Sequence, residues 1–215
     1  MDKKTFHKAF SILQKIYKIK VRKEKPFEVL VHGILSARTR DEVTYAAQER
    51  LLKIAKTPEK LAKLPLRKIR KIIYPVNYYV GKAKRLKEVS KLLVKKYKGK
   101  IPDKREELLG LPGVGPKIAD LVLLFGYGEK VIPVDTHVET VSKRWHIVDA
   151  KAKPEVVREK LHSLIAEKDR PAVNQLLVAF GKDICTTPVP KCYICPVEKL
   201  CPYENKNLKK LSKSS

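Results

Sequence analysis

The chain has 215 residues, enough for one large domain or two smaller ones, and 43% of them are apolar, which excludes wholesale disorder. Lys and Arg number 48 against 23 Asp and Glu, a net charge of +25. No run approaches the roughly 18 uncharged apolar residues of a membrane-spanning helix.

The opening residues, Met1-Asp2-Lys3-Lys4-Thr5-Phe6-His7, hold no apolar leader core. The expected compartment is therefore the cytoplasm or nucleus, at the nucleoid in a prokaryote. Phe6, Phe10, Leu13, Ile16 and Tyr17 then recur at three- and four-residue steps, the stripe of an amphipathic helix. Similar stripes run through residues 43–55, 83–97, 117–125, 136–145, 155–165 and 172–180. Pro26, Pro58, Pro65, Pro75, residues 99–102, residues 126–128, Pro154 and Pro171 read as the breaks that end helices. Strand-like alternation is nearly absent, so the expected fold class is all-α, about ten helices joined by short loops. The tail beyond Glu204 carries Lys206, Lys209, Lys210 and Lys213 with no acid and is expected to fray.

The charge is uneven. Residues 51–100 hold seventeen Lys or Arg against Glu59 and Glu88. Such an excess repels itself and costs stability unless a polyanion shares the load. A solvated lysine surface of a heat-stable protein is one reading, and three Gln, four Asn and one Met fit it. A DNA or RNA partner bound through its phosphates is the stronger one. A membrane surface is disfavoured, because no long stretch joins a basic face to bulky apolar anchors.

Leu111-Pro112-Gly113-Val114-Gly115-Pro116-Lys117 carries the most chemistry. Two glycines two apart permit positive φ and close approach of another chain. Pro116 suits the first turn of a following helix, whose exposed amides suit a phosphate without reading sequence. A plain connector between two helices is the alternative. Eighteen residues after Lys117, Val134-Asp135-Thr136-His137 opens another helix with Asp135 as its N-cap type. Cys185, Cys192, Cys195 and Cys201 follow as C-x6-C-x2-C-x5-C. Four thiolates can hold zinc or an iron–sulfur cluster, and in a reducing compartment either precedes disulfides. Structural zinc more often uses two separated C-x2-C knuckles, whereas here there is one.

Leu35-Ser36-Ala37 through Asp41, Ile73-Tyr74-Pro75-Val76, the glycine hairpin, the Val-Asp-Thr-His segment and the cysteines follow one another in a familiar order and spacing. In this the chain resembles the endonuclease III family of helix-hairpin-helix DNA glycosylases over nearly its whole length. The resemblance implies two helical lobes, residues 20–130 and residues 1–19 with 131–215, flanking a DNA-facing cleft across which Lys117 and Asp135 face each other. It implies a [4Fe–4S] cluster on Cys185, Cys192, Cys195 and Cys201, with Lys182, Lys191 and Lys199 forming a basic face around it. It implies a monomer acting on double-stranded damaged DNA in base excision repair, with oxidised pyrimidines such as thymine glycol as substrate. Lys117 becomes the nucleophile at C1′ and the origin of a lyase step by β-elimination. Asp135 becomes proton acceptor and countercharge to the cationic sugar. Gly113, Val114 and Gly115 hold the backbone, while Arg38 and the Asn77-Tyr78-Tyr79 stretch fill the space left by a flipped nucleotide. Tyr78 and Tyr79 also read as a half-buried aromatic pair beside Pro75.

Two positions depart from the family pattern. Arg38 stands where Gln is frequent, and Thr140 where an Arg often follows Asp-Thr-His, which leaves opposite-base preference open. A mismatch glycosylase acting on G·T or G·U is the enzymatic alternative, since Arg suits bidentate contact with guanine. A non-catalytic DNA-binding protein needs neither Lys117 nor Asp135, and an electron carrier leaves the basic patch unexplained.

Overall fold

The computed structural model describes residues 1–209, and among these the chain is helical without a strand. Of the tail, Lys210 and Lys213 lie outside the described residues. Eleven α-helices run in order: α1 (Lys3–Ile16), α2 (Pro26–Ser36), α3 (Asp41–Ile54), α4 (Pro58–Lys63), α5 (Leu66–Ile73), α6 (Tyr79–Tyr97), α7 (Arg105–Leu109), α8 (Pro116–Leu121), α9 (Thr136–Arg144), α10 (Pro154–Leu164) and α11 (Arg170–Asp183). A π-helical turn, Val122–Tyr127, continues α8, and short 3-10 turns fall at Glu167–Asp169, Cys192–Ile194 and Glu198–Leu200. No helix among the described residues is long and apolar enough to cross a membrane.

Several prolines act opposite to the reading from sequence. Pro26, Pro58, Pro154 and Pro171 occupy the first turns of α2, α4, α10 and α11 and so begin helices. A first-turn residue has no intrahelical N–H bond to lose, and proline arrives with its φ already set. Nor does the helix stop at Gly126, which lies inside the π-helical turn; the chain reverses at Gly128, at φ +82°.

The chain divides into two compact units. One spans Arg22–Glu129. Its centre is α2, which buries Phe27, Val29, Leu30, Val31, Ile34 and Leu35 beneath α3, α6, α8 and the π-helical turn. A helix apolar on nearly every face has no exposed side to show as a stripe. α6, the longest helix at 19 residues, buries Ala83, Leu86, Val89 and Leu93 and packs against α4 and α5. Most of its basic residues lie on the remaining faces, and Lys84, Arg85, Lys91 and Lys95 are exposed.

Close backbone approach limits this unit at one point. A Cβ at Gly126 would sit 3.0 Å from Pro26 Cα and 3.1 Å from its Cβ. Backbone cannot swing aside as a flexible side chain does. Gly126→Ala is expected to lower unfolding stability by about 1–2 kcal/mol, overcrowding outweighing alanine's helix propensity. A downward shift of the urea midpoint at unchanged slope is the readout.

The other unit joins Met1–Val21 to the chain from Lys130 onward. Here α1 contributes Phe6, Ala9, Phe10 and Leu13 to a core shared with Val138, Val141, Trp145, Val157, Leu161, Leu176, Leu177 and Phe180. Trp145 is fully enclosed, edge-on to Phe6 and tilted against Phe180, with both ring centroids 6.0 Å away. Asp2 caps α1 by accepting from Thr5 N at 2.9 Å, and Tyr17 O–H donates to Asp183 Oδ2 at 2.7 Å. The N-terminal helix is thereby built into the same core as the cysteine segment.

Candidate active site and cysteine loop

The hairpin grows out of its apolar anchors. Leu108, Leu111 and Val114 are buried, and Val114 N–H donates to Leu111 O at 3.1 Å, closing the turn between α7 and α8. Gly113 is exposed at φ +78°, a region nearly reserved for glycine. A Cβ there would also lie 2.8 Å from Arg85 Cδ. Gly115 differs from the expectation for it: its backbone is extended, at φ −95° and ψ 179°, and it caps α8. It has no atoms within 4 Å of where a Cβ would stand, so its gift is open space beside the helix start. Pro116 takes the first helical position. Arg105 Nε donates to Asp120 Oδ1 at 2.8 Å, and Asp120 is 1% exposed, so the two hairpin helices are clamped by a charge-assisted bond.

Lys117 is half-buried in the first turn of α8, between the open side of Gly115 and buried Ala119. First-turn amides lie outside the helix's own hydrogen bonds, so the lysine shares its site with backbone donors. Asp135 sits in the other unit as N-cap of α9. Its Oδ1 accepts from His137 N at 3.0 Å and Val138 N at 2.9 Å, and Oδ2 has no hydrogen bond among the described residues. The carboxylate is held by one oxygen and offers the other.

Arg38 and Tyr78 lie on two loops of the unit 22–129. Both are exposed, Tyr78 at 67%, and both adopt the left-handed conformation, at φ +53° and +57°. Asn77 Nδ2 donates to Arg38 O, tying the loops together. The aromatic pair read from sequence is differently composed: Tyr79 is half-buried edge-on to Tyr74, with centroids 5.4 Å apart, and Tyr78 stands clear of it.

Beneath the loops lies Lys82, which the sequence does not single out among the lysines of α6. It is 3% exposed, and its ammonium donates to Leu35 O and Ala37 O at 2.6 Å and to Thr39 Oγ1 at 2.9 Å. Burial, reinforced by Arg85, pulls its pKa down to about 8, which still leaves it protonated at neutral pH.

The four cysteines are half-buried, free of disulfides, and line one cavity together with Arg144, Glu198, Tyr203 and Lys206. Among the described residues no three or more His, Cys, Asp or Glu are drawn close enough to hold a metal ion. Burial raises the thiol pKa of Cys185 and Cys201 and pushes that of Cys195 up to about 12. Four soft donors lining one cavity beside cationic side chains nonetheless suit, by their chemistry, an anionic tetrathiolate group. Arg144, another residue without a sequence signal, supplies much of that setting. It is 8% exposed, and its Nη1 donates to Cys185 Sγ at 3.2 Å, Cys185 O at 2.9 Å and Thr186 O at 3.0 Å. Its guanidinium stacks 5.1 Å from the Tyr203 ring centre. Around the loop, Lys182 and Lys199 are exposed and Lys191 is half-buried.

Residues 31–167 match the family model of the HhH-GPD superfamily of base excision DNA repair proteins. The chain is 40% identical over 178 residues to endonuclease III of Thermotoga maritima, covering 83% of each protein. A solved structure of a trapped endonuclease III–DNA covalent intermediate superimposes with a TM-score of 0.88 at 29% identity, covering 94% of this chain and 97% of that one. A thermostable thymine-DNA glycosylase superimposes with a TM-score of 0.84 at 25% identity, covering 94% and 95% respectively.

Proposed function

The chain belongs to the endonuclease III family of HhH-GPD base excision DNA repair proteins, and from that membership we propose how its residues divide the work of a DNA glycosylase and abasic-site lyase. The substrate in this reading is an oxidised pyrimidine nucleotide in double-stranded DNA, met by a monomer in the compartment that holds the genome. The observation that carries it is a half-buried lysine one residue inside a helix whose approach is a glycine turn with open space beside it.

The duplex is gripped through its phosphates, at the hairpin amides of Gly113, Val114 and Gly115 and across the basic surface. Expelling the damaged nucleotide costs a few kcal/mol of stacking. Exposed Tyr78 fills the gap as a wedge and Arg38 hydrogen-bonds the partner base left behind. Lys117 attacks C1′ as a neutral amine, the glycosidic bond breaks with its electrons leaving on the base, and the base takes up a proton. Asp135 accepts the proton from the attacking amine and balances positive charge on the sugar. The C1′–O4′ bond then breaks, O4′ taking the proton back from Asp135, and the sugar opens to a Schiff base; this acidifies C2′–H, whose loss expels the 3′ phosphate oxygen and nicks the strand. Lysine release by water then frees the enzyme.

Cys185, Cys192, Cys195 and Cys201 are the residues that would hold an iron–sulfur cluster. When bound, such a cluster supplies four iron–thiolate bonds that brace the loop, and no electron transfer is needed for excision. The raised thiol pKa values mean that loading releases protons. Arg144 beside Cys185 offsets the negative charge that loading brings.

A lesion panel with borohydride trapping tests the reading. Duplexes carrying thymine glycol, an abasic site, G·U or G·T are incubated singly with the protein, and adducts and nicks are scored on denaturing gels. Adducts and nicks are expected at thymine glycol and abasic sites, with far slower action on the mismatches. Preferential action on G·T and G·U would transfer the assignment to mismatch repair, in line with Arg38. Inertness toward every duplex would remove the lysine chemistry altogether.

A further inference from the structure

Of the four non-glycine residues with positive φ among the described residues, Arg38 and Tyr78 are two; a buried ammonium bonds to the residues on either side of Arg38, and Asn77, next to Tyr78, bonds to Arg38 itself. We propose that Lys82 is a positioning residue, holding the loops of Arg38 and Tyr78 in the conformation that enters the duplex. The inference rests on the reading above, in which those two side chains fill the space of the expelled nucleotide.

The geometry supports this from both sides. α2 ends at Ser36, and the last carbonyls of a helix lack intrahelical donors. Lys82 Nζ supplies donors to two carbonyls there, Leu35 O and Ala37 O, and to Thr39 Oγ1, so its contacts bracket Arg38 in sequence. The same residue's backbone N–H donates to Tyr78 O at 3.0 Å, closing the first turn of α6 on the other loop. Asn77 then bonds directly across to Arg38 O. The backbone bond is one that any residue at 82 makes; the ammonium holds the Arg38 loop, and the Asn77 bond carries that hold across to the loop of Tyr78.

A purely structural account leaves the charge unexplained. The three acceptors are neutral oxygens, and no carboxylate is bonded to this ammonium. Burying a cation without a counterion is costly, and an apolar side chain of similar length would fill the same volume without that penalty. What the ammonium adds is direction: three donors that tie the end of α2, at Leu35 O, to two oxygens flanking Arg38, whose backbone lies in an unfavourable region. Exposed Arg38 and Tyr78 have little packing of their own to fix them. The alignment of inserted side chains with a target depends steeply on such support, since misplacement by about 1 Å can cost about a hundredfold in rate.

The test compares Lys82→Met and Lys82→Arg with Arg38→Ala and Tyr78→Ala. Single-turnover excision is measured on a thymine-glycol duplex, and strand cleavage on a single-stranded abasic oligonucleotide, where nothing has to be displaced. Flipping is followed by 2-aminopurine fluorescence next to the lesion. Lys82→Met is expected to lose about a hundredfold on the duplex, with the fluorescence rise lost and single-strand cleavage unchanged. Lys82→Arg, which restores a buried donor, is expected to recover most of the duplex rate. Equal losses on both substrates, or an unchanged duplex rate beside crippled Arg38→Ala and Tyr78→Ala, would overturn the inference while leaving the proposed reaction standing. Wild-type duplex rates in Arg38→Ala and Tyr78→Ala would instead remove the insertion reading, and this inference with it. Should Lys82→Met fail to fold, Asn77→Ala replaces it, cutting the link between the loops while leaving Lys82 buried; a selective duplex loss supports the inference and an equal loss on both substrates overturns it.

Discussion

Lys117→Ala is expected to abolish the borohydride-trapped adduct and to lower base release and strand nicking by about a thousandfold or more, the scale on which loss of a covalent nucleophile acts. The fold offers little resistance to the change. Lys117 sits in the first turn of a six-residue helix whose buried contacts come from Ala119 and Asp120, and alanine is a good helix residue there. Its unfolding transition is expected to match wild type, and duplex binding to weaken only by one contact among many cationic ones. Quenching with borohydride over a time course, alongside a binding titration at fixed salt, separates the two effects. An adduct persisting at wild-type yield would move the nucleophile elsewhere in the chain. Loss of binding in proportion to loss of rate would reduce Lys117 to a phosphate contact.

How far the sequence discloses this protein follows from which physical signals leave a trace in residue order. Amphipathic helices do: α1, α9, α10 and α11 each carry an apolar stripe facing a core and a polar one facing water. α2 leaves no stripe because it is apolar nearly all round at the centre of its unit, while α4 and α7, with six and five residues, are too short for periodicity to register. Proline reports a boundary without saying which side of it is helical, which is why Pro26, Pro58, Pro154 and Pro171 read as stops when they are starts. Gly126 reads as a break for a related reason: its small size serves contact with Pro26 rather than a turn.

Site residues divide along the same line. Gly113 is legible because positive φ selects for glycine, and the cysteine quartet because four thiols within a short span stand out in residue order and line one cavity in the fold. Lys82 and Arg144 are not legible. Each is one cation among 48, and what sets it apart is burial and three or more oxygen or sulfur acceptors, a property of the fold alone. Tyr78 is intermediate: its residue type suggests insertion, but only its exposure and left-handed backbone distinguish it from Tyr79, which packs on Tyr74.

Asp135→Asn isolates chemistry from architecture at the second position to which the proposed mechanism gives a catalytic role. The carboxylate has a structural task, since Oδ1 receives the amides of His137 and Val138 at the start of α9. Asparagine caps as well as aspartate, because its side-chain carbonyl accepts the same two hydrogen bonds, so the helix is expected to survive with at most about 1 kcal/mol lost from the charge–dipole interaction. What asparagine lacks is a proton-accepting oxygen and a negative charge. The expected result is a loss of about 10²–10⁴-fold in single-turnover excision, the range for a general base, with duplex affinity retained or slightly raised as one anion is removed near the phosphates. Asp135→Ala completes the comparison, removing cap and carboxylate together and lowering the melting temperature, which asparagine is expected to preserve. If excision tracked thermal stability across the two variants, the cap would be the whole role of Asp135. If the asparagine variant excised at the wild-type rate, the proton would have to leave the attacking amine by another route.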